Sequence, residues 1–408
     1  MTFCPALKKP ATRLFAAALL AWAGTALAQP AGFTPNEKVA SKRVDLIDVE
    51  FSQSRAMITW CDGSGQLWVG TVDRATGKLL DPTFQLVDGS AIKPADMAIT
   101  TNGPEWISTA TGDHIVYTKF VAGKPHKTST ARLAWAEGLA DGTWALHSLG
   151  PDATRNAPYA SEDAGDASPR ISYVDAKNKH YWRNLYDDAS EAPITGMPVT
   201  AKPVSARFTQ GYRGIVYAKP VDGVNQVFQL KLDENKTVQI TTDAGAKDER
   251  TVPWMWRAPD YGNKMVLMST VNGNELRFYR FFDADGDGVS SWTAFHSVKL
   301  PAGATVASPE PFIYGNKSYV VLAIKTEPNA FPSAVWLANV DPAAPQFWKV
   351  SDDTALRSRI DPEVFISDQG PVIFYNRFNP ALDTTGTNPN CKECSEGLWT
   401  ASTGLGPL

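Results

Sequence analysis

Pro309-Glu310-Pro311-Phe312-Ile313, then Ser318-Tyr319-Val320-Val321-Leu322, then Ala334-Val335-Trp336-Leu337-Ala338 is the stretch from which the rest of the chain can be read. Each segment is short, rich in β-branched and aromatic residues, and bounded by Pro, Gly or Asn, which is how strands joined by tight turns are written. The pattern returns near the C-terminus as Pro362-Glu363-Val364-Phe365-Ile366, Pro371-Val372-Ile373-Phe374-Tyr375 and Gly397-Leu398-Trp399-Thr400-Ala401, and near the start as Gln66-Leu67-Trp68-Val69-Gly70. Units of this kind open at Asp48, Pro94, Pro158, Pro203, Pro253, Pro309 and Pro362. No segment sustains a 3.6-residue apolar period, so helical solenoids and alternating βα units are excluded.

Four short strands per unit, repeated about seven times, predict an all-β chain folded as a single β-propeller of about seven four-stranded blades. One such blade cannot bury both of its faces, so the units need each other in a ring. The last unit has three strands and then only Gly404 to Leu408. Lys38-Val39-Ala40-Ser41, ahead of the first unit, is similar to the fourth-strand segments Lys349-Val350-Ser351 and Val238-Gln239-Ile240-Thr241. An N-terminal strand completing the last blade would close the ring and remove an exposed edge.

This arrangement resembles the broad class of TolB-like and WD-repeat-like propellers over nearly the whole of residues 29–408. The Trp-Asp signature of WD repeats is absent, and the resemblance implies a fold and no activity.

Lys8, Lys9 and Arg13, the apolar run 14–23 and Ala26-Leu27-Ala28 before Gln29 have the three-part layout of a secretory signal peptide. Residues 1–28 are therefore expected to be removed and 29–408 to form the propeller, in the periplasm or outside the cell. The apolar run is well short of the roughly 20 residues a membrane-spanning helix needs. A formal net charge of −4 over 408 residues, with Lys and Arg scattered, excludes a nucleic-acid partner. No Gly-x-Ser-x-Gly, phosphate-binding Gly loop or His-Glu-x-x-His is present, which removes the commonest hydrolase, nucleotide and zinc-protease readings.

In a propeller the first strand of each blade lines the axial channel, and the fourth-to-first and second-to-third loops gather on one face. Candidate ligand-binding residues are thus the acids at the unit openings, Asp48, Asp96, Glu310 and Glu363, with Asp361 beside the last and Arg170, Arg207 and Arg257 as counter-charge. Such acids could bind a cation or sugar hydroxyls, or form an acid/base pair for glycoside cleavage; they could equally accept loop N–H bonds. His114 and His180, read as opening equivalent strands of adjacent units, are the proton-transfer candidates together with Tyr181. They would suit a polysaccharide lyase, and Asp96, Glu310 and Glu363 a glycoside hydrolase.

Asp283-Ala284-Asp285-Gly286-Asp287-Gly288 places carboxylates at alternate positions, and the Val289 carbonyl and Ser291 complete the first half of a calcium loop. The twelfth position is Ala294 and the flanks read as strands, so the site is expected to be a structural calcium loop in a β-hairpin. Cys391-Lys392-Glu393-Cys394 gives a disulfide candidate, Cys391 with Cys394, with either one to Cys61 as alternatives. The leading expectation is a binding propeller for a small ligand, glycan or periplasmic protein, with a carbohydrate-active enzyme as the second reading.

Overall fold

Runs such as Lys317–Lys325 and Gly370–Phe378 are buried along almost their whole length, because second strands are covered on both faces by neighbouring sheets. Outer strands alternate: in Ser291–Lys299 only Val298 is fully buried. The computed structural model describes residues 37–38, 47–93, 96, 100, 102–109, 112–150, 154–160, 169–199, 206–209, 214–242, 248–283, 286, 288, 290–326, 331–352, 355–385 and 392–408. Among them there is no α-helix, only one-turn 3-10 segments, and hence no helix long and apolar enough to cross a membrane.

The strands form seven four-stranded antiparallel sheets. Their innermost strands are Ile47–Ser52, Glu105–Ser108, Arg155–Ala160, Arg207–Phe208, Arg250–Ala258, Thr305–Tyr314 and Ser358–Ser367. Each touches the next in this order, and the last touches the first, so the seven blades form a closed ring. The second blade begins at Glu105, downstream of the Pro94 opening read from the sequence; Pro94 itself, like Pro203, lies outside the described residues.

Five innermost strands carry the same irregularity, a shift of register flanking a non-glycine residue at positive φ: Asp48, Ala157, Val252, Ser308 and Asp361. A residue in excess on one strand is a β-bulge, and it re-aims the side chains that follow. In four of the five the next residue is Pro, at positions 158, 253, 309 and 362. Proline has no N–H to give to the ladder, and a bulge is where that donor is not needed. The repeating Pro of the sequence is therefore a bulge residue. Val252 at φ 46° is the costliest of these conformations, since a β-branched side chain is crowded there.

Apolar clusters fill the spaces between blades. Trp256 packs between the fifth and sixth blades and donates from Nε1 to Ser318 Oγ at 3.1 Å. At the seam of the first and last blades, Phe51 packs on Phe365 and Phe374. There the Gln53 amide acts as a short strand, giving Nε2 to the Val364 carbonyl at 2.6 Å and taking the Ile366 N–H at 3.0 Å. Glu37–Lys38 pairs with the outer strand of the last blade, Glu37 opposite Thr400 and Lys38 opposite Trp399. The rest of the expected closing segment, 39–41, lies outside the described residues, and closure through it remains an expectation.

Candidate functional site

Two residues beyond each positive-φ position stand Glu50, Tyr159, Trp254, Glu310 and Glu363. The corresponding places in the second and fourth blades are Glu105, after Gly103-Pro104, and Arg207. All seven line one axial cavity of about 290 Å³, one residue from each blade. Phe51, Gln53, Phe208, Phe312, Val364 and Ile366 extend its wall. These wall residues follow the seven along the innermost strands, toward the turns into second strands and away from the fourth-to-first loops where the sequence placed a site.

Glu310 and Glu363 are hydrogen-bonded to each other, as are Asp48 and Asp361 just beneath them. Burial pushes both Glu310 and Glu363 upward, Glu363 well above the carboxylate range, with the Glu310 and Glu50 charges adding to its shift. Asp361 is raised well above its usual range by burial and then by Asp48, whereas Asp48 is raised by burial against the opposing Gly103 N–H. Two carboxyls in contact cannot both ionise, so each pair shares a proton. Glu105 is pushed up to about 8 by burial and the Asp48 charge, although Asn102 Nδ2 donates to it.

Arg207 is the one basic side chain lining the cavity among the described residues. Its guanidinium lies 3.7 Å from the centroid of the Trp254 ring and 5.7 Å from that of Tyr159, with Nη1 3.8 Å from Glu310 Oε1. Stacking on the indole fixes the charge in place. The arrangement can bind a polar or cationic group in a partly apolar chamber.

The sequence candidates divide. Glu310, Glu363 and Arg207 meet in the cavity, with Asp48 and Asp361 behind them. Asp96 does not join them: it is buried and accepts from Lys93 N–H at 2.9 Å and pairs with His126 Nδ1 at 2.7 Å, holding a loop. Arg170 faces Asp233 and Trp182, and Arg257 is exposed near the Asn263 carbonyl. His114 opens the second strand of its blade, Asp113–Phe120, and His180 the third of its own, His180–Asn184. Antiparallel second and third strands start at opposite ends, so the two histidines lie on opposite faces of the ring, not together. His114 pairs with the Tyr186 hydroxyl, and Tyr181 stacks on Tyr173. The site residues missed were Glu50, Glu105, Tyr159 and Trp254; the signal for them is the second position after the bulge.

Asp283 lies between the third and fourth strands of the fifth blade, Glu275–Phe282 and Ser291–Lys299, and accepts the Gly286 and Gly288 N–H groups at 2.8 and 2.9 Å. Asp285, Asp287 and Val289 lie outside the described residues. Cys61 is a free, buried thiol, which removes the alternative bridges to it; Cys391 lies outside the described residues.

No family model matches the chain, and no curated protein does. Solved structures do. The β-propeller domain of Cps50 (Swd1) from Myceliophteria thermophila aligns over 90% of this chain and 99% of its own, at 8% identity and a TM-score of 0.54. U3-55K aligns over 92% and 98%, at 9% identity and 0.51. TolB from Acinetobacter baumannii aligns over 73% and 78%, at 14% identity and 0.34. At these identities the likeness is one of fold alone: the chain is a seven-bladed β-propeller.

Proposed function

We propose that this protein is a non-enzymatic binding propeller, exported to the periplasm or beyond, that holds a ligand or a protein partner at its axial cavity. The observation that carries this reading is the single chamber to which every blade contributes one side chain, five of the seven being charged. The fold shared with Swd1 and U3-55K suits a scaffold that presents a binding face, though a fold by itself carries no activity.

The carbohydrate-cleaving alternative is less well supported. A glycosidase keeps its two carboxyls roughly 5–10 Å apart, whereas Glu310 and Glu363 touch. The lyase version needs His114 and His180 together, and they are on opposite faces. Trp254 supplies the test, because a ligand entering the cavity alters its emission. A fluorescence titration against amines, sugars and basic peptides is expected to give a saturable change that Trp254→Phe abolishes, while a polysaccharide panel gives no new reducing ends and no unsaturated product. Turnover of any polysaccharide would instead restore the enzyme reading.

Two accessory features belong to the same proposal. A disulfide between Cys391 and Cys394 would pin the long second-to-third loop of the last blade. Calcium held by Asp283, Asp285, Asp287, the Val289 carbonyl and Ser291 would rigidify the long outer hairpin of the fifth blade. Removing calcium with a chelator is expected to lower the melting temperature by a few degrees, about 1 kcal/mol for a chain this size. Asp285→Ala should remove that dependence; a melting curve indifferent to calcium would leave a plain Asp/Gly turn.

A further inference from the structure

We propose that the axial cavity takes an alkylammonium group, from a free amine or from a lysine side chain of a partner, against the ring of Glu50, Glu105, Glu310 and Glu363. This rests on the binding reading above and names its ligand chemistry.

The charge in the chamber is the first reason. Four glutamates line it and Asp48 and Asp361 sit directly beneath, facing one lining cation, Arg207, among the described residues. Arg207 is held on the Trp254 face at 3.7 Å and lies 3.8 Å from Glu310, and its one charge also acts on Glu105, Asp48 and Asp361, so a single cation is spread over several carboxyls. Glu363 is only 7% exposed and still lines the cavity. Like charges this close in a site shielded from water repel strongly, and a proton or an incoming cation relieves them.

Shape selects the kind of cation. The volume of about 290 Å³ is near the lower bound for small-molecule pockets, roughly 300–1,000 Å³. It far exceeds a bare metal ion, and no group of three or more His, Cys, Asp or Glu among the described residues is disposed to hold a metal. The walls beside the carboxyls are Phe51, Phe312, Ile366 and Trp254. An alkyl stem would pack on them while its ammonium meets the acids, as long basic side chains do when they bury their stems. The raised carboxyls agree: the free chamber retains protons that a bound cation would displace.

Isothermal titration of the purified protein with 1,5-diaminopentane, with a lysine-containing tripeptide, and with 1,5-pentanediol as the uncharged control tests this. The amines are expected to bind with release of about one proton, seen as a heat that varies with the buffer's ionisation enthalpy, and about tenfold more tightly for each unit the pH rises between about 5 and 8. Glu310→Gln and Glu363→Gln should each weaken binding about tenfold; if either fails to fold, the wild-type pH dependence and the diol control decide alone. Binding of the peptide but not the diamine points to a protein partner, and the reverse to a free amine. A diol that binds as well as the diamine, or amine affinity flat from pH 5 to 8, overturns the ammonium assignment yet leaves a binding cavity. If neither amine binds the assignment also fails, and the Trp254 titration then judges the binding reading separately.

Discussion

Arg359→Ala is expected to lower the unfolding free energy by about 3–5 kcal/mol, the range for breaking a buried ion pair from one side. Arg359 stands two residues before the bulge of the last blade, with its side chain 2% exposed. From there Nη2 reaches the Asp352 carbonyl at 2.8 Å and Asp352 Oδ1 at 2.9 Å, while Nη1 donates to the Ser333 carbonyl in the sixth blade. One guanidinium, with Nη1 also reaching the Arg357 carbonyl at 3.4 Å, thus serves three backbone acceptors and a carboxylate at the seam between two blades. Alanine strands the carbonyls, leaves Asp352 with the more distant Arg377 at 3.8 Å, and opens a cavity besides. Arg359→Lys should recover only part of the loss, because a point charge cannot span acceptors on separate segments as the planar fork does. Urea denaturation at fixed pH measures both. A double variant, Arg359→Met with Asp352→Leu, should be more stable than Arg359→Ala, since it leaves no unpaired charge. A loss under about 1 kcal/mol for Arg359→Ala would mean that water reaches the seam and the pair is not structural.

Arg359 also shows how much of the fold could be read in advance. Arg155, Arg250 and Arg359 occupy the same place in three blades, each followed after two residues by the Pro of the bulge. Each reaches toward the preceding blade or connection: Arg155 to the Leu149 carbonyl, Arg250 to that of Asp248. The Pro of this repeat was legible, and with it the ring of blades. Its meaning as a bulge was not, because register is decided by pairing between strands and not by composition. That is why composition points to Pro94 and Asp96 for the second opening, whereas Gly103-Pro104-Glu105 holds it. It is also why the fourth blade, whose cavity residue Arg207 follows Ala206 and no Pro, was offset.

The same offset explains the site. Asp48 and Asp361 were found because they are acids beside a strand start, and Glu310 and Glu363 because they follow Pro. Tyr159 and Trp254 share the position of Glu310 and Glu363, but as aromatic residues they carry no signal that sets them apart from a propeller core. Equivalence between blades identifies them; residue type does not.

Stability between pH 6.5 and 8 is expected to fall by about 1–2 kcal/mol as pH rises, the change for one retained proton released over that interval. Glu105 holds its proton in the folded state to about 8, against an ordinary value of 4.5, so above 4.5 the folded chain binds protons that the unfolded chain has released. Asp361 and Glu363, also raised by burial, act in the same direction. Buried His114, His180 and His296 act oppositely: burial lowers each, His180 to about 4, so the unfolded chain binds more protons there and stability rises with pH. Their effect is halved at 6.5, the ordinary imidazole value, and is spent about one unit above it, once imidazole is neutral in both states. Up to about pH 7.5 the two sets of groups oppose each other; above it the carboxyls act alone. Stopping at pH 8 keeps the Cys61 thiol, with an ordinary value of 9.0, largely out of the measurement. Chemical denaturation at half-unit steps should therefore show a decline that steepens above about pH 7, and Glu105→Gln should flatten it and shift the acid side, down to about 4.5, in the same sense. Stability that is flat or rising from 6.5 to 8 would mean the axial carboxyls are already compensated by charge. In that case the chamber would have no protons to exchange for an ammonium group, so the stability curve and the titration must stand or fall together.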